Sequence, residues 1–157
     1  MTTSQPKSVQ PKTPASDSSL DLLNWKQVSL VCGAAMAMLY CAFEPVGFWP
    51  LAWIAPAVWA CGVVFARSTK TAVLIGWGSW VVFWFASIWW LMLPTGVGYI
   101  LGAGYQAATG LVLAWAVRKT ARGGFPMWVA LPLVWCAMEL FRSAGPLPFE
   151  WYFLAHS

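Results

Sequence analysis

Charge is scarce in this sequence. Only 9% of its 157 residues are Asp, Glu, Lys or Arg; acids number five against nine bases, and there is one histidine, His156. A soluble domain is typically about a quarter charged and about half apolar, whereas 60% of this chain is apolar. A soluble fold of about 150 residues buries only about 70% of the surface its unfolded chain exposes. Too much apolar surface would remain in water, which excludes a soluble enzyme, a nucleic-acid-binding module and a disordered protein. Cysteine is also sparse: Cys32, Cys41, Cys61 and Cys136 each lie in an apolar run, and no two form a CxxC pair. With a single histidine beside them, no metal-ligand spacing exists, and neither metal nor cofactor is expected. The thiols read as small buried hydrophobes.

What the chain does have is long apolar runs. Residues 1–24, rich in Ser, Thr, Pro, Gln and Lys, cannot bury enough surface to offset chain entropy and are expected to be a disordered cytoplasmic tail. Residues 25–157 then read as part of a multi-span membrane domain, with runs at 28–43, 46–66, 71–93, 98–117 and 125–141 and an external segment at 142–157. A span takes roughly 20 residues, about 17–25, and lipid leaves the backbone no hydrogen-bond partner outside a helix. The expected fold is therefore all-α and integral to the membrane, with about five transmembrane helices. The breaks carry turn chemistry: Glu44-Pro45, Arg67-Ser68-Thr69-Lys70, Pro94-Thr95-Gly96 and Arg122-Gly123-Gly124. Eight of the nine bases (Lys7, Lys12, Lys26, Arg67, Lys70, Arg118, Lys119 and Arg122) fall on one side of the alternating spans. Bases confined to breaks orient a membrane protein, placing the N-terminus in the cytoplasm; nucleic-acid binding would need them on a water-exposed face.

Few residues offer chemistry. Gly98, Gly102, Gln106 and Gly110 recur every four residues on one face of the fourth run, either a helix-packing seam or, through Gln106, a substrate contact. Trp77, Trp80, Trp84, Trp89 and Trp90 extend over roughly 20 Å of helix rise; they serve packing or a ring-lined surface toward acyl chains. Glu139 is the acid well inside a run, and Arg142 follows three residues on, within reach on the same helix face. A charge at a span's centre costs about 2.5–3.5 kcal/mol, so the two are expected to pair near the outer boundary, or Glu139 to stand beside a lipid headgroup. Glu44, Glu150 and His156 share the external side, but no nucleophile stands beside a base. No Ser-His-Asp set, phosphate-binding glycine loop or metal motif occurs.

The breaks carry a resemblance. Phe43-Glu44-Pro45-Val46-Gly47-Phe48-Trp49-Pro50 resembles the F-x-P-x-x-x-W-P turn of bacterial apolipoprotein N-acyltransferases. Pro132, Trp135, Glu139 and Arg142 resemble that family's P-x-x-W-x-x-x-E-x-x-R pattern. Phe149-Glu150-Trp151 stands where the family usually has F-P-W, and Ala155-His156-Ser157 where it often has G-Y-S. The resemblance implies a multi-pass protein of the bacterial inner membrane. Its partners would be a phospholipid acyl donor and a diacylated lipoprotein acceptor. It also implies acyl transfer to the lipoprotein's N-terminal amine through a thioester on a cysteine, activated by a glutamate and a lysine of a nitrilase-like external domain.

None of that triad maps onto this chain, so no residue here is expected to be catalytic and these residues alone are expected to be inactive. Glu139, Arg142, Phe149, Trp151 and Gln106 are the candidate structural or lipid-facing residues. The sequence is expected to be the N-terminal membrane portion of such an enzyme, an incomplete product of a longer frame or the partner of a separately encoded nitrilase-like domain. The alternative is a non-catalytic small membrane scaffold or partner subunit with the same bundle. A transporter fragment is the third reading, with Gln106 as its one buried polar site.

Overall fold

A computed structural model of the chain describes residues 22–145, 148 and 151–156. The described residues form five α-helices: α1 (Trp25–Ala42), α2 (Pro50–Val64), α3 (Thr69–Ser87), α4 (Gly96–Arg122) and α5 (Met127–Ala144). Short 3-10 turns follow α3 at Trp89–Met92 and close the described chain at Leu154–His156. The all-α expectation is met. Two of the helices, α4 and α5, are long and apolar enough to cross a membrane.

Local chemistry sets the boundaries. Asn24 and Gln27 form a reciprocal capping box at the start of α1, with Asn24 Oδ1 accepting from the Lys26 and Gln27 amides and Gln27 Oε1 accepting from the Asn24 amide. Ser68 caps α3 through the Thr71 amide at 3.0 Å, and Thr95 caps α4 through the Gly98 amide at 3.1 Å. Pro50 opens α2, where a missing N–H costs nothing. Gly47 at φ +68° and Gly124 at φ +73° turn the chain where a side chain would be strained.

Several boundaries differ from the apolar runs. The Phe43–Trp49 turn takes the start of the second run, leaving α2 only 15 residues. The third run breaks at Ile88 into the 3-10 turn. Arg118, Lys119 and Arg122, expected in a break, belong to the last turns of α4, because nothing stops that helix before Gly123. Arg142 likewise lies within the last turn of α5. The expected tail lies outside the described residues except for its end, where the Leu23 amide donates to Phe65 O at 2.8 Å and the Arg67 amide to Leu23 O at 3.1 Å.

Helix α4 packs along α3, α1 along α2 and α3, and α5 along α4. Gly110 makes the α3–α4 approach possible, since a Cβ there would lie 2.5 Å from Trp80 Cγ. The core is aromatic. Trp59, Trp80, Trp84 and Trp135 are buried, with Trp80 6.2 Å from Trp59, 5.6 Å from Trp135 and 6.4 Å from Trp84 between ring centroids. Packing is therefore the role of Trp80 and Trp84, while Trp89 is exposed. The cysteines divide: Cys32 is buried and Cys41 partly so, but Cys61 and Cys136 are exposed, which corrects the expectation that all four are core residues. Cys136 lines the open groove between α2 and α5.

The bundle has two distinct ends. At one, Arg67 Nε donates to Leu22 O at 3.3 Å and Arg122 Nη1 to Thr69 Oγ1 at 2.7 Å. Arg118 reaches from α4 to the C-terminus of α2, donating to Val63 O at 3.2 Å, to Val64 O, and to Ala66 O at 2.8 Å. The opposite end carries the Phe43–Trp49 turn, the Trp89–Met92 turn and residues 151–156, joined by the rings of Phe43, Phe83, Trp84 and Tyr152.

Candidate functional site

The candidate residues converge at this opposite end. Glu139 and Arg142 project from the last two turns of α5. They do not pair with each other as expected. Arg142 Nε donates to Gln106 Oε1 at 2.9 Å and Nη2 to Trp151 O at 2.7 Å. Glu139 Oε1 accepts from Trp135 Nε1 at 3.0 Å and from the Leu154 amide at 2.9 Å. Both grip the same returning segment, 151–154.

Arg142 is 1% exposed and Gln106 2%. The guanidinium lies 4.5 Å from the Trp84 ring centroid and 4.9 Å from that of Phe153, so two π faces supplement the hydrogen bonds in replacing water. Gln106 thus serves α5 rather than α3: of the four-residue stripe on α4, Gly110 meets Trp80 and Gly102 approaches Leu91 and Ile88, while Gln106 holds Arg142.

The returning segment is pinned at several further points. Tyr152 has φ +60°, a left-handed backbone that a tyrosine adopts at a cost. Its hydroxyl donates to Ser87 O at 2.7 Å, and its ring meets Phe43 at 5.0 Å, Trp84 at 5.9 Å and Phe83 at 6.1 Å. Burial pushes the Tyr152 phenol up from its ordinary pKa. Trp151 sits 5.1 Å from Trp90 between ring centroids.

The structure therefore brings Gln106, Glu139, Arg142 and Trp151 together. Phe149 and Glu150 lie outside the described residues, as does the His156 side chain. Glu44 is exposed on the Phe43–Trp49 turn. Sequence reasoning missed Trp84, Tyr152 and Phe153 around Arg142, and Trp135 as the donor to Glu139. Only the last had a local signal, the i, i+4 spacing of Trp135 and Glu139.

The chemistry of this arrangement is to hold a polypeptide segment against a helix end. The hydroxyls of Ser29, Ser79, Thr109, Thr120 and Ser143 donate to carbonyls of their own helices rather than to a base. Among the described residues, no three His, Cys, Asp or Glu gather where a metal could be held.

The apolipoprotein N-acyltransferase N-terminal domain family matches residues 35–157, a stretch that includes the Phe43–Trp49 turn, Gln106 and the whole Glu139–Arg142 clasp. The chain belongs to this family. No curated protein and no solved structure matches it. Membership gives the clasp its context: the family's N-terminal domain runs through α5 and the segment that Glu139 and Arg142 hold.

Proposed function

We propose that this chain is the membrane portion of an apolipoprotein N-acyltransferase of the bacterial inner membrane. It crosses the bilayer five times with its N-terminus in the cytoplasm. The enzyme transfers a fatty acyl chain from phospholipid to the N-terminal amine of diacylglyceryl lipoproteins. The observation that carries this reading is the family match across residues 35–157.

Two structural features support it. Leu30, Trp53, Val82, Leu101, Val112 and Trp128, from all five helices, point outward and are well exposed, a distribution suited to lipid rather than water. Arg67, Arg118 and Arg122 cluster at one end of the bundle, the end that the positive-inside rule assigns to the cytoplasm. The clasp then faces outward, where it orders the chain emerging from α5. Catalysis itself belongs to an external nitrilase-like domain, and this chain's part is to seat that domain and admit lipid substrates from the bilayer.

The test is a chimera in which these 157 residues replace the corresponding membrane portion of an active apolipoprotein N-acyltransferase. Mass spectrometry should show triacylated product from a diacylated lipopeptide and phospholipid, while the chain by itself leaves the amine free. A membrane-inserted chimera that leaves the amine free would defeat the reading, and product from the chain alone would overturn its assigned division of labour.

A further inference from the structure

Helices α2 and α5 touch little, and between them lies a groove of about 420 Å³. Its walls are apolar, with Trp53 and Ala57 on α2 and Leu131 and Pro132 on α5, and Leu154 closes one end. Trp53 is 80% exposed, so the groove opens sideways. Clefts of roughly this size, about 300–1,000 Å³, take small-molecule-sized groups.

Among the described residues, one charged side chain, Glu139, lines the groove, and no base does. Its Oε1 is held by Trp135 Nε1 and the Leu154 amide, whereas Oε2 makes no hydrogen bond to a described residue. Two donors on one oxygen fix the orientation of the carboxyl group. Arg142 is committed elsewhere, buried between Trp84 and Phe153 and bonded to Gln106 and Trp151. The site is thus an apolar channel ending in a pre-positioned acceptor of negative charge. It complements an amphiphile whose head carries net positive charge on an N–H donor. A zwitterionic phospholipid fits less well, because its phosphate would stand beside a carboxylate with no cation among the described lining residues.

We propose that this groove binds the free N-terminal ammonium of a diacylated lipopeptide, with Glu139 Oε2 accepting from the ammonium and Trp53, Ala57, Leu131 and Pro132 flanking the acyl chains. This rests on the reading that lipoprotein acceptors come to this chain, and it places the acceptor in the bundle before any acyl transfer.

The test uses the full chain in phosphatidylcholine nanodiscs and a fluorescent diacylglyceryl-cysteinyl-serine probe with a free amine, beside its N-acetylated twin. The free-amine probe should bind roughly tenfold or more tightly than the acetylated one, the scale of one charge-assisted hydrogen bond. Glu139→Gln should remove that preference while leaving the acetylated probe's affinity in place; a merely structural role for Glu139 would instead weaken both probes alike. Ala57→Trp fills the groove at an exposed position and should weaken both probes without touching the bonds of Glu139. It keeps the test decisive if the Glu139 variant does not fold.

Equal affinity for the two probes, or binding unaffected by Ala57→Trp, would overturn the site. Phosphatidylethanolamine competing as well as the lipopeptide would overturn the choice of ligand. Binding needs no acyl transfer, so an active chimera without amine preference defeats this inference alone. An inactive chimera that keeps the preference defeats only the functional reading.

Discussion

Arg142 is 1% exposed, and a cation that far from water needs partners in fixed positions. Gln106 supplies one from α4, the Trp151 carbonyl another, and the Trp84 and Phe153 rings cover two sides. Its energetic partner is therefore Gln106 more than Glu139. A double-mutant cycle on Gln106→Ala and Arg142→Ala, followed by unfolding in detergent, should give a coupling of about 1.5–3 kcal/mol, that of a buried hydrogen bond to a charged group. The matching cycle on Glu139 and Arg142 should give about 0.5 kcal/mol, transmitted through segment 151–154, which both hold. Equal couplings in the two cycles would mean that the two charges interact directly.

At the scale of elements, the informative side chain is Arg118. Its position in the sequence marks it as a topology determinant, and it is also the cap of another helix. The last carbonyls of α2 have no intrahelical partner, and Arg118 reaches across from α4 to those of Val63 and Val64, and to Ala66 just beyond the helix. One residue thereby satisfies a helix end, ties α4 to α2 and keeps its charge at the basic end. Arg118→Met should destabilise the bundle by about 1.5–3 kcal/mol. Arg118→Lys should recover only part of that, since an ammonium lacks the fork that spans separate carbonyls. Full stability in the Met variant would show that water caps α2 unaided.

For the whole molecule, the two ends differ in kind. One is basic and closed by hydrogen bonds among Leu22, Leu23, Phe65 and Arg67; the other is aromatic and holds the clasp. The proposed orientation puts the basic end in the cytoplasm. Reporters fused at Ser68 and at Gly96 should report cytoplasmic and external locations respectively. A cytoplasmic signal from Gly96 would contradict a five-span bundle.

Composition and period, which are local properties, determined a good deal by themselves. Low charge and long apolar runs called for an all-α chain, and each of the five runs corresponds to a helix because apolar length and turn residues act within a few neighbours. The Phe43–Pro50 and Pro132–Arg142 patterns pointed to the family that matches residues 35–157. Helix ends were less legible, as with α2, because the Phe43–Trp49 turn takes up residues as apolar as a span. What only the tertiary structure decided are the pairings between distant residues. Gln106 and Arg142 are 36 residues apart, and Arg118 is 52 from Ala66. No local spacing encodes these contacts. They arise because packing brings two helices within hydrogen-bond reach, and a buried polar group then takes whichever partner the fold has placed there.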